Sequence, residues 1–432
     1  MWPSPALTLA VLLCSSLPVA AQAPENPDPK QRSRTARDLA KQGSEAIPKL
    51  QGMLADPAVE VRIEAVKAIV EIGTKASLDP LMQATRDSEP EVEIRAADGL
   101  VNFYLPGYVR TGLSASLRRI GSALMAKFTD TNDQVIDPYV EVRPEVVAAL
   151  GRLARSGVGV EARANAARAC GILRGRAALG DLYEALRSKD SQIIHESLIA
   201  IRKIGDPSAA PRIAFLLRDL DEKVQTAAIE TTGLLRNREA LPDLRRVLAD
   251  PASNKIRRAA LTAIAMIPDE ASRPDYIRYL ADKDEGMRAA AAEGLARLKN
   301  PSDLPALEKA FNDERKMPPR LSLAFALVML GKSETSEFSP LRYLINTLNS
   351  AAWRGVARAF LIEMARDPAV RRPIQDATGN GTKAEKIELA QILGASGGSD
   401  TLACLEALSH DPDTDVAAAG INALRTLKAR LP

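Results

Sequence analysis

A chain of 432 residues, 46% hydrophobic and 26% charged, is long enough for two or three domains or one extended array and too apolar to be disordered. Aromatics make up only 4% while alanine, leucine and arginine abound, which favours helix and leaves little material for an aromatic-rich β fold. With 58 basic against 55 acidic residues the net charge is +3, without the clustered excess that a nucleic-acid partner calls for.

The first element is the apolar run ALTLAVLLCSSLPVAAQA, too short to span a bilayer and ending in small residues. Ala21-Gln22-Ala23 fits small-x-small cleavage, so residues 1–23 are expected to be a signal peptide cut after Ala23 or after Ala21. MWPSP departs from the usual pattern in having no Lys or Arg, and Cys14 follows Leu13 where a lipid-anchor site needs a small residue. No second run of membrane length follows, so a mature chain without a transmembrane segment, periplasmic or secreted from a bacterium, is expected. Residues 24–43 begin polar and proline-bearing and read as a linker into the first helix.

From residue 44 to 432 a single motif recurs. VRIEAVKAIVEIG, from Val61, has a helical apolar period and a terminal glycine placed to cap it. Copies begin at Ile94, Ala162, Val224, Ile256, Met287 and Val416, with weaker ones around Ile194, Pro319, Trp353 and Thr382. From Ile194 onward the spacing is about 30 to 34 residues. A shorter helix precedes each copy, with proline near its start at Pro48, Pro80, Pro211, Pro242, Pro274, Pro305 and Pro340, where the missing N–H costs nothing. Asp56, Asp87, Asp190, Asp221, Asp250, Asp282 and Asp411 close the short helices and are expected to cap the long ones. Arg62, Arg95, Arg163, Arg257, Arg288 and Arg354 follow, spaced to pair with the aspartates of neighbouring repeats in an exposed ladder that sets register while apolar stacking supplies the stability.

The rhythm fails around 104–158, where two copies lie roughly two periods apart. This stretch reads as one irregular repeat carrying an extended loop near 129–142. Phe103, Tyr104, Tyr108 and Tyr139 flank it in an aromatic-poor chain, and either form a partner-binding surface or fill a packing defect. Asp130, Asn132, Asp133 and Asp137 supply oxygens there, but without the glycine turn and bidentate glutamate of a calcium loop they read as solvated.

The pattern D-x-x-x-x-[VI]-R-x-x-A-A-x-A-[LI]-G after a short helix, clearest in DPAVEVRIEAVKAIVEIG and DKDEGMRAAAAEGLARL, resembles the short HEAT-like repeat also found in phycobilisome-lyase-type proteins. The resemblance implies an all-α fold: a right-handed α-α superhelix, or HEAT-like solenoid, of about eleven helical hairpins.

Catalytic chemistry is not visible. His195 reads as a variant of the Arg62 ladder position and His410 as an exposed residue before Asp411. Cys170 and Cys404 lie on apolar helix faces and read as core residues rather than a disulfide or metal pair. GILRGRAALG and GASGG follow helices, not strands, and so read as caps and turns rather than phosphate cradles. No catalytic residue, metal site or cofactor is assigned. The expected function is a non-enzymatic protein-interaction scaffold holding a protein partner on its concave face or at the irregular repeat. The resemblance implies a bilin lyase-like enzyme as the alternative, against which export argues, and some HEAT-like proteins bind nucleic acid, against which the balanced charge argues.

Overall fold

The computed structural model describes residues 28–109 and 134–431. Among them the secondary structure is helical, without strands, and alternates short and long helices. An opening helix, α1 (Pro29–Ala40), is followed by the pairs α2 (Ile47–Met53) with α3 (Val59–Ile72) and α4 (Leu78–Ala84) with α5 (Pro90–Tyr104). Next come α6 (Pro144–Ser156) with α7 (Val160–Ile172), α8 (Leu179–Ala185) with α9 (Ser191–Ile204), and α10 (Ala210–Ile213) with α11 (Glu222–Leu234). Then follow α12 (Leu241–Ala249) with α13 (Asn254–Ala265), α14 (Arg273–Tyr279) with α15 (Glu285–Leu298), and α16 (Leu304–Asp313) with α17 (Met317–Met329). The last pairs are α18 (Pro340–Thr347) with α19 (Arg354–Met364), α20 (Pro368–Ala377) with α21 (Lys383–Ser396), and α22 (Leu402–Ser409) with α23 (Thr414–Lys428).

Each even helix packs on the odd helix after it, and each odd helix packs on the next odd one from α1 to α23. One pair cannot bury both faces of its long helix, so each neighbour supplies the missing wall and the core runs continuously through the stack. The described residues thus hold the eleven pairs that the repeat pattern implies.

One segment differs from the sequence reading. The region read as linker contains α1, whose Ala36 and Leu39 are buried against α3 while Arg32 bonds Asp56. With so few apolar residues, its helical period is faint in the sequence. In the aperiodic region α5 packs directly on α7, and α6 takes the short-helix place beside α7. The described pairs on either side of residues 110–133 are thus direct neighbours in the stack.

Close approach of the odd helices depends on small residues. A Cβ on Gly233 would lie 2.6 Å from the Ala263 Cα of the next long helix, one on Gly171 2.8 Å from the Ala200 Cα, and one on Gly394 2.9 Å from the Ala423 Cα. Gly171 and Gly394, expected as caps or turns, are thus mid-stack contacts inside helices.

The charge ladder exists and is more buried than expected. Arg62 makes a two-pronged bond to Asp87 (2.8 and 2.9 Å) and donates its third nitrogen to the Asp56 carbonyl at 3.0 Å. These side chains are only 10% and 9% exposed. The same link joins Arg32 to Asp56, Arg257 to Asp282, Arg288 to Glu314 and Lys386 to Asp411. Asp56, Asp87, Asp282 and Asp411 therefore face the previous repeat's cation instead of capping the next long helix. Asp282 and Asp411 accept from the N–H of Asp284 and Asp413, which in turn cap α15 and α23. Asp190 and Asp221 cap their helices as expected, whereas Ser253 replaces Asp250 as the cap of α13.

The ladder skips α5. Glu93 occupies the arginine position, is buried, and accepts the Val158 N–H at 3.1 Å, while Arg95 pairs with Glu91 within its own helix. Arg163 and Arg354 bond the carbonyls of Ala154 and Leu348 instead of a neighbour's aspartate. His195 lies one residue past the ladder position, which Ile194 fills.

Candidate functional site on the inner face

Ion pairs between helices that are not neighbours identify the inside of the curve. Arg297 on α15 holds Glu363 on α19 across α17, with Nε and Nη2 at 2.9 and 2.8 Å from the two carboxylate oxygens. Arg236, just past α11, reaches the same carboxylate at 3.6 Å, and Lys299 meets Asp367 at 3.5 Å. The C-terminal ends of the odd helices therefore converge, which places these helices on the concave side.

Around Arg297 they build a buried polar cluster. Its Nη1 donates to Glu293 at 3.2 Å and to the Ala265 carbonyl at 3.3 Å, and its guanidinium lies 5.3 Å from the Phe325 ring centre. Phe325 stacks on Phe360 with centroids 4.7 Å apart, and Ser322 donates to Glu293 at 3.1 Å. Burial pushes the Glu293 carboxyl above its ordinary value despite Arg297 and Ser322. At Glu363 burial acts the same way, but Arg297 outweighs it and holds the carboxyl below the usual range. Beside the cluster opens a cavity of about 350 Å³, with Leu234, Met266, Phe360 and Ile362 on its apolar wall and Arg236 and Arg366 on its polar one. Leu234 is 48% exposed. Arg366 makes no side-chain hydrogen bond or ion pair among the described residues.

A second cluster lies toward the insertion. Asn165 donates to Asp98 at 2.9 Å, and Arg168 clasps Glu196 at 3.2 and 2.9 Å. Burial pushes the Asp98 carboxyl up. Burial also leads at Tyr108, whose hydroxyl, with the nearby Asp98 charge, is pushed up to about 12. Burial likewise opposes ionisation of Glu196, but His195 and Arg168 overcome it and bring the carboxyl to about 2. Arg168 makes the direct bonds, whereas His195 Nδ1 stands 3.9 Å away, beyond hydrogen-bond reach, and adds attraction only when protonated. The Glu196 contribution to stability is therefore present above the ordinary glutamate value of 4.5 and is lost as pH falls through about 2. Urea titrations of the native chain and Glu196→Gln should show the native chain ahead at about pH 5 and the gap narrowing toward about pH 3. A gap independent of pH would contradict this account of Glu196.

Of the four aromatics singled out from the sequence, three are half-buried and Tyr139 is exposed. Phe103 and Tyr104 meet edge-on at 4.9 Å, both half-buried against the core, and the Tyr104 hydroxyl accepts the Arg143 N–H at 3.1 Å. Tyr108 reaches the Asp98–Arg168 cluster. Tyr139 is exposed and donates to Asp137 at 2.8 Å. Asp130, Asn132 and Asp133 lie outside the described residues. Among the described residues no group of three or more His, Cys, Asp or Glu is placed to hold a metal ion. None of the described helices is long and apolar enough to cross a membrane.

The residues that build the inner clusters recur in the sequence without attracting notice. Lys67, Asp98, Arg168, Glu230 and Glu293 each fall five residues after the ladder position of their helix. That polar stripe was the available signal.

A family model of HEAT repeats matches residues 17–101, 210–274 and 250–328. The stacked pairs extend the same unit from α2 to α23, and this chain is a HEAT-repeat protein. Among solved structures, the CpcE–CpcF complex of phycocyanin lyase from Nostoc is 18% identical over 63% of this chain and 94% of that one, with a TM-score of 0.38. Human deoxyhypusine hydroxylase in complex with glycerol is 19% identical over 66% and 96%, with a TM-score of 0.28. Kap121p bound to Pho4p is 13% identical over 94% and 56%, with a TM-score of 0.43. Likenesses this distant bear on neither partner nor chemistry. No curated protein matches the chain.

Proposed function

We propose that this chain is a non-enzymatic protein-binding scaffold, exported from a bacterial cell, whose partner seats along the inner face of the odd helices. The observation that carries this reading is the half-open cavity beside Arg297, where an exposed Leu234 and the free guanidinium of Arg366 share one concave wall. Exposed apolar surface next to charge on the inside of a solenoid is the kind of surface such folds use for partners. The cysteines favour a binding role over nucleophilic catalysis: Cys170 is buried and its thiol is pushed up by burial, as is that of Cys404. His410 bonds the Glu406 carbonyl of its own helix. Export rests on the apolar, Ala-x-Ala-terminated start of the sequence.

Cross-linking in intact cells, followed by purification from the periplasm and medium and by peptide mapping, tests the reading. The expected result is a chain starting near Pro24 with partner cross-links on α11, α13, α15 and α19. Cross-links confined to the even helices would overturn the inner-face assignment, and a chain retaining Met1 inside the cell would overturn export.

A further inference from the structure

We infer that the cavity between α11 and α19 recognises a carboxylate set beside an aliphatic side chain on an extended segment of the protein partner. The inference rests on the scaffold reading and adds the chemistry of the segment bound.

Charge is the first ground. Three guanidiniums, from Arg236, Arg297 and Arg366, line the cavity with two carboxylates, Glu293 and Glu363. Arg297 and Arg236 both converge on Glu363, and Arg366 adds only a through-space attraction to that already shared carboxylate, without an ion pair of its own. Glu293 is likewise committed, to Arg297 and Ser322. Arg430, after the last helix, shows the same excess: burial and then the charge of Arg366 hold its guanidinium below the ordinary value. A carboxylate entering the cavity relieves this repulsion and matches the fork geometry of Arg366.

Shape is the second ground. Leu234, Met266, Phe360 and Ile362 form an apolar wall next to the arginines, and a volume of about 350 Å³ admits one or two side chains rather than a helix or a domain. A nucleic-acid strand would need a row of free cations along the face. Instead Arg168, Arg202 and Arg358 are each matched, to Glu196, Glu230 and Glu388. Basic peptides meet the surplus charge as repulsion.

The test is selection of a displayed library of random twelve-residue peptides on the full chain. Enriched sequences should place Asp or Glu within three residues of Leu, Ile or Met and bind more weakly as salt rises. A synthetic copy of the strongest should lose roughly tenfold or more in affinity to Arg366→Glu, a typical penalty for reversing one partner of a charged contact, and keep most of it with Arg366→Lys. Arg366 has no hydrogen bond or ion pair to lose among the described residues, so Arg366→Lys should melt like the native chain, and Arg366→Glu should give up only its attraction to Glu363 and stay folded. Enrichment of basic or acid-free sequences overturns the inference, as do acidic peptides indifferent to Arg366→Glu or displaced by a single-stranded oligonucleotide. In each of these cases partner cross-links on the inner face would leave the scaffold reading standing. A library yielding no binder also overturns the inference, and cross-links away from the inner face would then remove both.

Discussion

Replacing Arg297 with alanine is expected to destabilise the middle of the solenoid by about 3–5 kcal/mol, the cost typical of removing one partner from a buried ion pair. Its side chain is only 7% exposed and is the cation common to Glu293 and Glu363. Without it both carboxylates keep their burial and lose their counter-charge, and Phe325 loses the guanidinium over its ring. The loss should depend on pH. Glu293 already lies above its ordinary value, so the folded chain takes up a proton there as pH falls, and protonation relieves the orphaned carboxyl. Glu363 is held below its ordinary value by Arg297, a contribution present in the native chain above that value and absent from the variant. The deficit should therefore be largest near neutral pH and shrink toward about pH 4. Urea unfolding at both pH values measures it, and hydrogen exchange should localise it to α15, α17 and α19. A loss below about 1 kcal/mol at neutral pH would mean that the surroundings relax around the two carboxylates, contrary to the cost expected for orphaned buried charge.

Gly233→Val should produce the other large effect. The added Cβ would sit 2.6 Å from the Ala263 Cα and 3.2 Å from its carbonyl oxygen, and this neighbour is backbone that no rotamer change can move. Overpacking at such a contact costs about 1–3 kcal/mol, occasionally more, and the gain in helix propensity over glycine recovers well under 1 kcal/mol. Gly180→Ala is the contrast. A Cβ there meets nothing within 4 Å, so restricting the unfolded chain should stabilise the protein by about 0.4–1 kcal/mol. Thermal melts of the two variants should move in opposite directions. A Gly233→Val melting temperature at or above that of the native chain would show that α11 and α13 can separate without penalty.

The repeat was legible because its signals are local. Proline at the start of short helices, aspartate in the turn and the apolar period of VRIEAVKAIVEIG each act within a few residues, and the pairs form where those signals fall. The failures trace to signals that are not local. Gly171 looks like a cap in GILRG, and only the approach of Ala200 from the next long helix explains it. His195 was matched to the ladder by its basic character, yet helical register places Ile194 there. In the irregular stretch the pairing of helices is equally non-local, and only packing shows α6 as the short partner of α7. Glu363 lies 66 residues from Arg297, and their meeting depends on curvature accumulated over intervening interfaces, which no single repeat encodes. The inner cavity was for that reason invisible, while rare aromatics such as Phe103 and Tyr104, half-buried against the core, drew attention by their scarcity.

Those same long-range pairs change the mechanical character of the coil. A stack joined only through nearest neighbours behaves as a loose spring, in which small rotations at successive interfaces add freely into extension. Arg297 and Arg236 tie α15 and the end of α11 to α19, and Lys299 ties the end of α15 to Asp367. Between Arg236 and Asp367 the turns are laced together like a wound coil with stitches across its bore. Tension applied to the two ends must first be taken up outside that section, and within it the turns can open only when several ionic stitches give way together.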